Sequence, residues 1–488
     1  MPDPFGYLRH GRALPARRPV PVRIRDWREV YPPAGDGLVR EQATRCMDCG
    51  IPFCHDGCPL GNRIPDWNDL VRTGAWAAAA DALHATNNFP ELTGRLCPAP
   101  CEAACVLGIG DDPVTIKQVE VEIANRAFDL GLITPRPAPG PTGRRVAVVG
   151  SGPAGLAAAQ QLARAGHAVT VYERDDAIGG LLRYGIPDFK LEKDRLDARL
   201  AQLAAEGVAF RPGVAVGVDV TAAELRAGYD AVLLACGALA GRDDGGVPGR
   251  GLRGVHLAME HLVPANRVVA GRAATPAVDA AGKHVVIIGG GDTGADCLGV
   301  AHRQGAASVT QLDRYPTPPA DRDGDRDPWP TWPLILRDYP AHEEGGDRVF
   351  GVAVREYVDD GTGAVRAVRV ADVVVRNRVA TVVPGTEREL PADLVLLAIG
   401  FEGTEEQPLL AQFGVRRNAR GAVDARPDWQ TDADGVFVAG DMHRGASLIV
   451  WAIAEGRAAA AAIHTYLGGA TPLPSPVTPS ANPLTATG

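Results

Sequence analysis

Short apolar runs that alternate with helical patterns are the main signal along the second part of the chain. Residues 145–149 (RVAVV) predict a buried strand, followed by a glycine turn, an amphipathic helix and a second strand that ends at Glu173. The same order recurs from His284, and its second strand ends at Asp313. Strands that alternate with helices in this way predict two α/β units with parallel sheets.

Two further apolar runs repeat each other. Residues 230–237 (DAVLLACG) reappear as 393–400 (DLVLLAIG), and each run predicts a buried strand that ends on glycine. A last run at 435–441 (GVFVAGD) predicts a buried strand that delivers an aspartate to a loop, and residues 449–467 predict the helix that follows. If each repeated strand closes the sheet of its own unit, the chain holds two similar α/β units.

The turn after the first strand of each unit carries a glycine fingerprint of dinucleotide-binding sites. Glycines at this spacing permit the tight turn and let the backbone approach a pyrophosphate, which the helix N-terminus stabilises. An acidic residue that ends the next strand can accept hydrogen bonds from a ribose hydroxyl. A Rossmann-like turn that binds no phosphate is the structural alternative. The fingerprint residues are Gly150, Gly152 and Gly155 with Glu173 in the first unit, and Gly289, Gly291 and Gly294 with Asp313 in the second.

Cysteine spacing adds redox chemistry to this picture. Seven of the nine cysteines fall between residues 46 and 105, in runs of Cys-x2-Cys-x4-Cys-x3-Cys-Pro and Cys-x3-Cys-x3-Cys. The first run resembles the ferredoxin pattern, in which three cysteines hold one cluster and the fourth belongs to another. Two 4Fe-4S clusters need about eight ligands, so one ligand must come from elsewhere or one cluster must be smaller. Cys236 and Cys297 are poor candidates for the missing ligand. Both lie in apolar segments of the two α/β units, where a cysteine side chain is expected to be buried.

Zinc and disulfides are the alternatives for these cysteines. Structural zinc would use His55 to complete a second set of four ligands, but zinc sites usually pair two short motifs. Disulfides fit poorly because the N-terminal residues contain no apolar signal segment, which predicts a cytoplasmic chain. No stretch approaches the roughly 18 apolar residues of a membrane span. A cluster module beside two dinucleotide sites instead predicts a protein that splits hydride into single electrons.

Length and charge limit the possible partners. The 488 residues predict about two to four domains. The net charge of −9 and the pI of about 5.7 argue against nucleic acid as a partner. The first 25 residues are locally basic and predict either a solvated arm or a segment that docks on an acidic surface. Residues 471–488 lack charge and aromatic rings and predict a disordered tail.

Five motifs, in their order along the chain, resemble the flavin disulfide-reductase-like class: GSGPAG, GGLLRYGIP, GGGDTGAD, LLAIGF and GVFVAGD. With the segment RCMDCGIPFCHDGCPLGNRIPDWNDLV, residues 1–470 more closely resemble the small (beta) subunit of bacterial glutamate synthase, whose cysteine module is shared with dihydropyrimidine dehydrogenase. The resemblance implies an α/β fold of two nested Rossmann-like FAD- and NAD(P)-binding domains with an N-terminal α-helical iron-sulfur domain. The expected boundaries are 1–143 for the α-helical domain binding two 4Fe-4S clusters, 144–265 and 395–470 for the FAD-binding domain, 266–394 for the NAD(P)H-binding domain, and 471–488 for the tail.

The resemblance also implies a set of ligands for each cluster. The second cysteine run is Cys-x3-Cys-x3-Cys, whereas the family spacing is Cys-x5-Cys-x3-Cys. The position of Cys101 therefore departs from the family pattern. Glu120 would supply the missing eighth ligand, although it could equally be a solvated carboxylate on a helix. The implied sets are Cys46, Cys49, Cys54 and Cys105 for one cluster, and Cys58, Cys97, Cys101 and Glu120 for the other.

For the two dinucleotides, the resemblance places FAD on the first unit and NADPH or NADH on the second. Hydride transfer to flavin needs placement rather than a protein acid, so no catalytic side chain is expected. The residues implied for FAD are Gly150, Gly152, Pro153, Ala154, Gly155, Glu173, Gly180, Leu181, Gly185, Ile186, Pro187, Gly440 and Asp441. Those implied for the nicotinamide cofactor are Gly289, Gly291, Asp292, Thr293, Asp313 and Arg314.

The choice between NADPH and NADH is where residues and resemblance disagree. Family members commonly use NADPH, whereas an acidic residue at position 313 favours the free ribose hydroxyl of NADH and repels a 2'-phosphate. Arg314 and Arg303 could supply an opposing attraction, and Asp313 could also turn outward. The sequence therefore predicts a weaker preference for NADPH than the resemblance implies.

The function implied by the resemblance is electron entry into a glutamate synthase. NAD(P)H would reduce FAD, and single electrons would pass through the 4Fe-4S clusters to a large (alpha) subunit. That subunit would carry FMN and a further iron-sulfur cluster and make glutamate from glutamine and 2-oxoglutarate. The alternatives are an NAD(P)H diaphorase subunit of another complex, linked to bifurcating ferredoxin, hydrogenase, formate or sulfide chemistry, and a non-catalytic iron-sulfur assembly or sensor protein.

Overall fold

The structure is a computed structural model that describes residues 3–377 and 379–484. Its N-terminal part is helical. Proline lies in the first turn of several of the helices, where its missing N–H would have no helical partner in any case. The helices are α1 (Val20–Arg23), α2 (Asp36–Thr44), α3 (Phe53–Asp56), α4 (Ile64–Arg72), α5 (Trp76–His84), α6 (Pro90–Leu96), α7 (Pro100–Ala103) and α8 (Ile116–Asp129), with 3-10 turns at Gly6–Leu8 and Val106–Ile109.

The first α/β unit begins where the apolar run at 145–149 predicts it. Strand β1 is buried from its second residue onward, and the small residues of α9 allow this helix to pack closely on the sheet. The elements are β1 (Arg145–Val149), α9 (Pro153–Arg164), β2 (Ala168–Glu173), α10 (Leu181–Tyr184), α11 (Lys193–Ala205), β3 (Ala209–Pro212), α12 (Ala222–Gly228) and β4 (Ala231–Leu234).

The chain then leaves this sheet through a short strand and builds the second unit. Its five parallel strands have the order β6-β14-β7-β8-β9, and β10 to β13 form an antiparallel sheet around β11. The elements are β5 (Ala240–Gly241), β6 (Val255–Leu257), α13 (Ala258–Val269), β7 (His284–Ile288), α14 (Asp292–Gln304), β8 (Ser308–Asp313), α15 (Pro340–Glu343), β9 (Asp347–Phe350), β10 (Val352–Asp359), β11 (Val365–Arg376), β12 (Val379–Val382), β13 (Arg388–Pro391) and β14 (Leu394–Leu397).

The last segment returns to the first unit. Strand β16 pairs with β4 and completes a parallel sheet in the order β16-β4-β1-β2-β3, so the second unit is inserted into the first. The predicted nested α/β fold is confirmed. The elements are β15 (Phe401–Gly403), α16 (Pro408–Phe413), β16 (Val436–Val438), α17 (Asp441–Arg444) and α18 (Ile449–Tyr466).

The two crossings between the units lie side by side. Strand β15 pairs antiparallel with β5, so the outgoing and returning chains form one ribbon. Strand β6 pairs with β14 in the second sheet. The domain boundaries expected from the sequence place this strand, residues 255–257, in the first unit. We therefore propose that the second unit runs between the two strands of this ribbon, because a strand belongs to the sheet whose hydrogen bonds it shares.

The N-terminal domain and the first unit share one apolar core, which includes Val39 of α2 and Ile453 of α18. A fully buried ion pair reinforces it, since Arg199 Nη2 of α11 lies 2.6 Å from Glu91 Oε2 of α6. A buried pair whose partners are hydrogen-bonded fixes the relative position of two elements even where its net energy is small. The cysteines are therefore held in a defined place relative to the first dinucleotide turn.

The basic N-terminal arm lies on the protein itself. Arg23 is 1% exposed, and its Nε lies 2.8 Å from Glu344 Oε1 in the second unit. Arg12 Nη2 lies 2.6 Å from Glu102 Oε2 beside the cysteine segment. The sequence predicted either a solvated arm or a segment that docks on another surface, and the structure shows a different arrangement, in which the arm packs on its own chain. Much of the arm's positive charge is paired within the chain and ties the cysteine domain to the second unit.

The C-terminal segment also differs from the expected disordered tail within the part that the structure describes. Arg444 Nη2 donates to the carbonyl of Ala481 at 3.0 Å, and the amide of Trp332 donates to the carbonyl of Leu484 at 2.8 Å. The segment contributes only backbone carbonyls and the buried Val477 to these contacts, and no charged residue of its own. Residues 485–488 of the predicted tail lie outside the described residues. Across those described, no helix has the length and apolar character needed to cross a membrane.

Candidate functional site

The first cysteine set surrounds one cavity of the N-terminal domain. Cys46, Cys49, Cys54 and Cys105 all line it, and most of the remaining lining is apolar. Burial raises the pKa of the Cys46 thiol to about 12 and raises that of Cys54 as well. Such thiols become strong donors when a metal displaces their protons. Four converging thiols in an apolar pocket fit an iron-sulfur cluster.

The second set surrounds a neighbouring cavity. Cys58, Cys97 and Cys101 line it together with Glu120, and all three thiols are buried. Burial raises the pKa of the Cys58 thiol to about 11. Despite the altered spacing of the second run, Cys101 faces this cavity because the short helix α7 turns it inward. The structure thus brings four cysteines together at the first cavity and three at the second.

Glu120 is a buried carboxyl at the second cavity, and it is only 6% exposed. Its Oε1 accepts hydrogen bonds from Asn87 Nδ2 at 2.9 Å and from Thr93 Oγ1, while no described residue donates to Oε2. Burial raises the pKa of Glu120 to about 7. This arrangement disfavours the solvated carboxylate, and it leaves one oxygen for a ligand bond.

The zinc and disulfide alternatives gain no support from the geometry. All nine cysteines are free. His55, which would complete a zinc set, lines neither cysteine cavity. Within the described ranges, no group of three or more histidine, cysteine or acidic residues is close enough to hold a single metal ion. Each cysteine set is spread around a cavity, as a multi-atom cluster requires.

A lysine that the sequence analysis did not single out also borders the second cysteine set. Lys117, in the first turn of α8, lines this cavity and a larger cavity that Lys190 and Asp292 share. Burial lowers the pKa of Lys117, and the charges of Cys97 and Glu102 act in the opposite direction. Its position places a positive charge between the cysteine domain and the second unit.

At two glycines of the first turn a side chain would clash with the backbone, whereas the third glycine has free space beside it. A Cβ on Gly150 would overlap the carbonyl of Ala235 at the end of β4, and one on Gly155 would overlap the carbonyl of Gly150. A Cβ on Gly152 would meet no atom within 4 Å, although this residue is the N-cap of α9. An open position at a helix N-terminus is where a pyrophosphate fits.

Glu173 lies at the same end of the sheet. Its Oε2 accepts hydrogen bonds from the amide of Ser151 at 3.1 Å and from the Ser151 hydroxyl at 2.6 Å. Gly180 packs directly on this turn, because a Cβ there would lie 3.2 Å from Gly152 Cα. The Asp441 carboxyl follows β16, and burial raises its pKa to about 7. The structure thus gathers these expected FAD residues at one edge of the first sheet.

The remaining residues expected at FAD lie on the segments that frame this turn. Pro153 and Ala154 form the first turn of α9, and a Cβ on Gly440 would lie 2.7 Å from the Ala154 side chain. The others follow Gly180 in the chain, where α10 and the turn after it run: Leu181, Gly185, Ile186 and Pro187.

Helix α18 connects the first glycine turn with the second cysteine cavity. A Cβ on its Gly456 would overlap the carbonyl of Ala154, so α18 and α9 are in backbone contact. Val450, in the first turn of α18, lines the second cysteine cavity. Glu455 is fully buried and accepts a hydrogen bond from the amide of Gly440 at 2.9 Å. The second cysteine set is therefore the one next to the first unit.

The second glycine turn repeats the geometry of the first. A Cβ on Gly289 would overlap the carbonyl of Ala398, and one on Gly294 would overlap that of Gly289, whereas a Cβ on Gly291 would meet no atom within 4 Å. Asp292 and Thr293 form the first turn of α14, directly after this open position. Each unit thus has one place where a phosphate can approach the backbone.

Asp313 points toward the second turn. A Cβ on Gly290 would overlap Oδ2 of Asp313, so the carboxylate lies against the turn in the way that Glu173 lies against Ser151. Arg314 is exposed, and its guanidinium is 4.9 Å from the ring of Tyr315. Arg303 is engaged elsewhere, since its Nη1 lies 2.6 Å from Glu344 Oε2 and its side chain is 1% exposed. Of the two arginines, Arg314 is the one available to oppose Asp313.

A loop of the second unit contacts the segments that carry the first cysteine set. The indole Nε1 of Trp329 donates to the carbonyl of Cys105 at 3.3 Å, and its ring lies 4.6 Å from that of Phe53. Arg322 Nη2 donates to the carbonyl of Ala103 at 2.9 Å. Sequence patterns gave no sign of this contact, because it joins loops more than two hundred residues apart.

Two known protein families match neighbouring parts of the chain. Residues 23–131 match dihydropyrimidine dehydrogenase domain II with its 4Fe-4S cluster, and residues 144–456 match pyridine nucleotide-disulphide oxidoreductases. The second match covers more than half of the chain. It agrees with the nested α/β units, and the first agrees with the cysteine domain.

Relatives with similar sequences match the chain over nearly its full length. The glutamate synthase [NADPH] small chain of Mycobacterium tuberculosis (strain CDC 1551 / Oshkosh) is 61% identical over 491 residues, which is 99% of this chain and 100% of that protein. The protein of the same name from Bacillus subtilis is 46% identical and covers 97% of this chain and 100% of its own length. The glutamate synthase [NADH] of Schizosaccharomyces pombe is 43% identical over 96% of this chain but only 23% of its own length.

A solved structure shows the same fold for the nucleotide-binding part. The structure of Mycobacterium tuberculosis FprA in complex with NADPH matches 67% of this chain and 85% of its own, with a TM-score of 0.51 and 20% identity.

Proposed function

Because the chain belongs to the glutamate synthase small-chain family, we propose that its two glycine turns and two cysteine sets form the electron-input path of a glutamate synthase. When bound, FAD takes hydride from the nicotinamide, and iron-sulfur clusters carry electrons one at a time. The observation that carries the proposal is the position of α18, which touches the first glycine turn through Gly456 and the second cysteine cavity through Val450.

The residues of this chain bind and orient the groups that react. The open positions at Gly152 and Gly291 admit the two pyrophosphates, and Glu173 and Asp313 accept hydrogen bonds from the ribose hydroxyls. We assign Cys46, Cys49, Cys54 and Cys105 to one 4Fe-4S cluster, and Cys58, Cys97, Cys101 and Glu120 to the other. The lining of the first cavity lies entirely within residues 46–116, so the first set is the one farther along the path from the first unit.

The partner in this proposal is a large glutamate synthase subunit. We assign to it FMN, a further iron-sulfur cluster and the synthesis of glutamate from glutamine and 2-oxoglutarate. The names of the bacterial relatives, which call them small chains, support a larger companion. The fungal relative supports it too, since this chain corresponds to 23% of one longer glutamate synthase. Cysteines arranged for clusters suit a reducing compartment, and we propose the cytoplasm.

Co-purification tests this function. A tagged chain is co-expressed with a large glutamate synthase chain from the same organism, purified without oxygen, and supplied with NADPH, glutamine and 2-oxoglutarate. We expect a stable complex that contains FAD and forms glutamate only when both chains are present. A chain that binds no such partner, or a complex that oxidises NADPH without forming glutamate, would point instead to a diaphorase subunit of another assembly.

Glu120→Ala is expected to remove the second cluster. Among the described residues, Glu120 is the only carboxylate that lines that cavity, so iron should fall by about four atoms per chain relative to the wild type. Glu122→Ala is the matched control, because it removes another buried carboxylate from α8 that does not line this cavity. Iron analysis of anaerobically purified protein measures both variants. Equal iron in Glu120→Ala and the wild type would exclude Glu120 as a ligand.

Asp313→Ser is expected to shift the cofactor preference toward NADPH. Removing the carboxylate that lies against Gly290 removes the repulsion of a 2'-phosphate, while Arg314 remains to attract it. Asp313 is partly exposed, so solvent screens this repulsion, and we expect about a tenfold rise in kcat/KM for NADPH relative to NADH, about 1.4 kcal/mol. Steady-state reduction of an artificial acceptor with each cofactor measures the ratio. A wild-type preference for NADPH above about a hundredfold would show that Asp313 does not read the ribose.

A further inference from the structure

Lys117 holds a positive charge at the second cysteine cavity. It lies one turn before Glu120 on α8, and its side chain lines the cavity formed by Cys58, Cys97 and Cys101. The chain contains only four lysines, so a lysine in this position is a distinctive feature.

The other cations around Lys117 are neutralised by carboxylates. Arg12 Nη2 lies 2.6 Å from Glu102 Oε2, and Lys190 Nζ lies 2.7 Å from Asp296 Oδ1. In contrast, no carboxylate of the described residues forms an ion pair with Lys117. The backbone amide of Lys117, not its ammonium group, donates to Glu102 Oε1 at 2.9 Å. Its charge therefore acts on the cysteine cavity without a dedicated counterion.

We propose that Lys117 sets the reduction potential of the cluster held by Cys58, Cys97, Cys101 and Glu120, by stabilising the reduced state. The inference rests on the proposed function, because it requires a cluster at this cavity. Reduction adds one electron and one negative charge, and net charge around a cluster is one of the factors that fix its potential. Lys117 is only partly buried, but the three thiols beside it are buried, so the low-dielectric surroundings of the cavity strengthen its attraction for that added charge.

This role gives the second cysteine set a function in directing electrons. That set borders the first unit through Val450, so its cluster is the first acceptor after the flavin. A higher potential at this position favours transfer away from the flavin and opposes return. Lys117 is a positioning residue in this sense: it adjusts a neighbouring redox group and takes no part in hydride transfer.

The test is a redox titration of the anaerobic two-chain complex, monitored by electron paramagnetic resonance, for the wild type, Lys117→Met and Lys117→Arg. We expect Lys117→Met to shift one cluster midpoint downward by about 59 mV or more, which is a tenfold change in the one-electron equilibrium. Lys117→Arg keeps the charge and should restore most of the potential. Lys283→Met is the matched control, because Lys283 lines neither cysteine cavity, and it should shift nothing.

Iron and FAD contents, measured on the same samples, separate the possible results. Wild-type contents with an unchanged midpoint in Lys117→Met would overturn the proposal. If Lys117→Met loses iron while Lys117→Arg keeps it, Lys117 serves cluster assembly, and the role in potential is likewise overturned. A wild-type complex without any signal from clusters on this chain would defeat the proposed function instead.

Discussion

Gly291→Val is expected to abolish oxidation of the nicotinamide cofactor while FAD and iron remain at wild-type levels. Gly291 has a backbone conformation open to any residue, with φ of −86°, and a Cβ there meets no protein atom within 4 Å. The side chain can therefore be placed without disturbing the fold, but it occupies the space that the pyrophosphate needs. We expect kcat/KM to fall by about a thousandfold or more, about 4 kcal/mol.

Gly152→Val is the matched control for this variant. Its φ is −71°, it is also the N-cap of a helix, and a Cβ there also meets no atom within 4 Å. This variant should lose FAD and keep the binding of nicotinamide cofactor, which is the reverse of Gly291→Val. Flavin absorbance, cofactor titration and acceptor reduction measure the three properties. If Gly291→Val lost FAD and still bound the nicotinamide cofactor, the two units would have the opposite roles.

Cys49→Ala is expected to remove one cluster and leave the flavin in place. Cys49 is half-buried at the first cavity, and an alanine there leaves three thiols around it. Iron should fall by about four atoms per chain relative to the wild type, with loss of stability in the N-terminal domain. FAD should stay bound, because its glycine turn lies on the separate sheet of the first unit.

Cys297→Ala is the control for the loss of a thiol as such. Cys297 is fully buried in α14, within the core of the second unit, and lines neither cysteine cavity. We expect this variant to keep all of its iron and to lose a small amount of stability through the cavity created. Unchanged iron in Cys49→Ala, or stoichiometric zinc in the wild type, would contradict the assignment of two 4Fe-4S clusters.

Local patterns predicted the parts of the site that depend on neighbouring residues. The strands and glycine turns around Gly152 and Gly291 follow from short apolar runs, because a tight strand-to-helix turn has few solutions. Cysteine spacing predicted clusters, but the residues alone supplied seven of about eight ligands. The division of the cysteines into two sets, with Glu120 as the eighth ligand, came from family resemblance, and the structure brings each set together.

Contacts between distant segments could not be predicted in this way. Val450 meets the second cysteine set and Trp329 contacts Cys105 because the domains pack together, which leaves no periodic signal in the chain. The basic arm was ambiguous for the same reason, since only the fold places Glu344 beside Arg23. Lys117 was overlooked because a single lysine on an amphipathic helix usually faces solvent.

The most direct test of the central claim compares two activities of Cys49→Ala in the two-chain complex. NADPH-dependent reduction of a small artificial acceptor requires only the flavin part of the path, whereas glutamate formation requires electrons to cross the cysteine domain. We predict that acceptor reduction stays near the wild-type rate while glutamate formation falls to background. Glutamate formation at the wild-type rate in a variant that has lost about four iron atoms would contradict the claim that this cluster lies between the flavin and the partner.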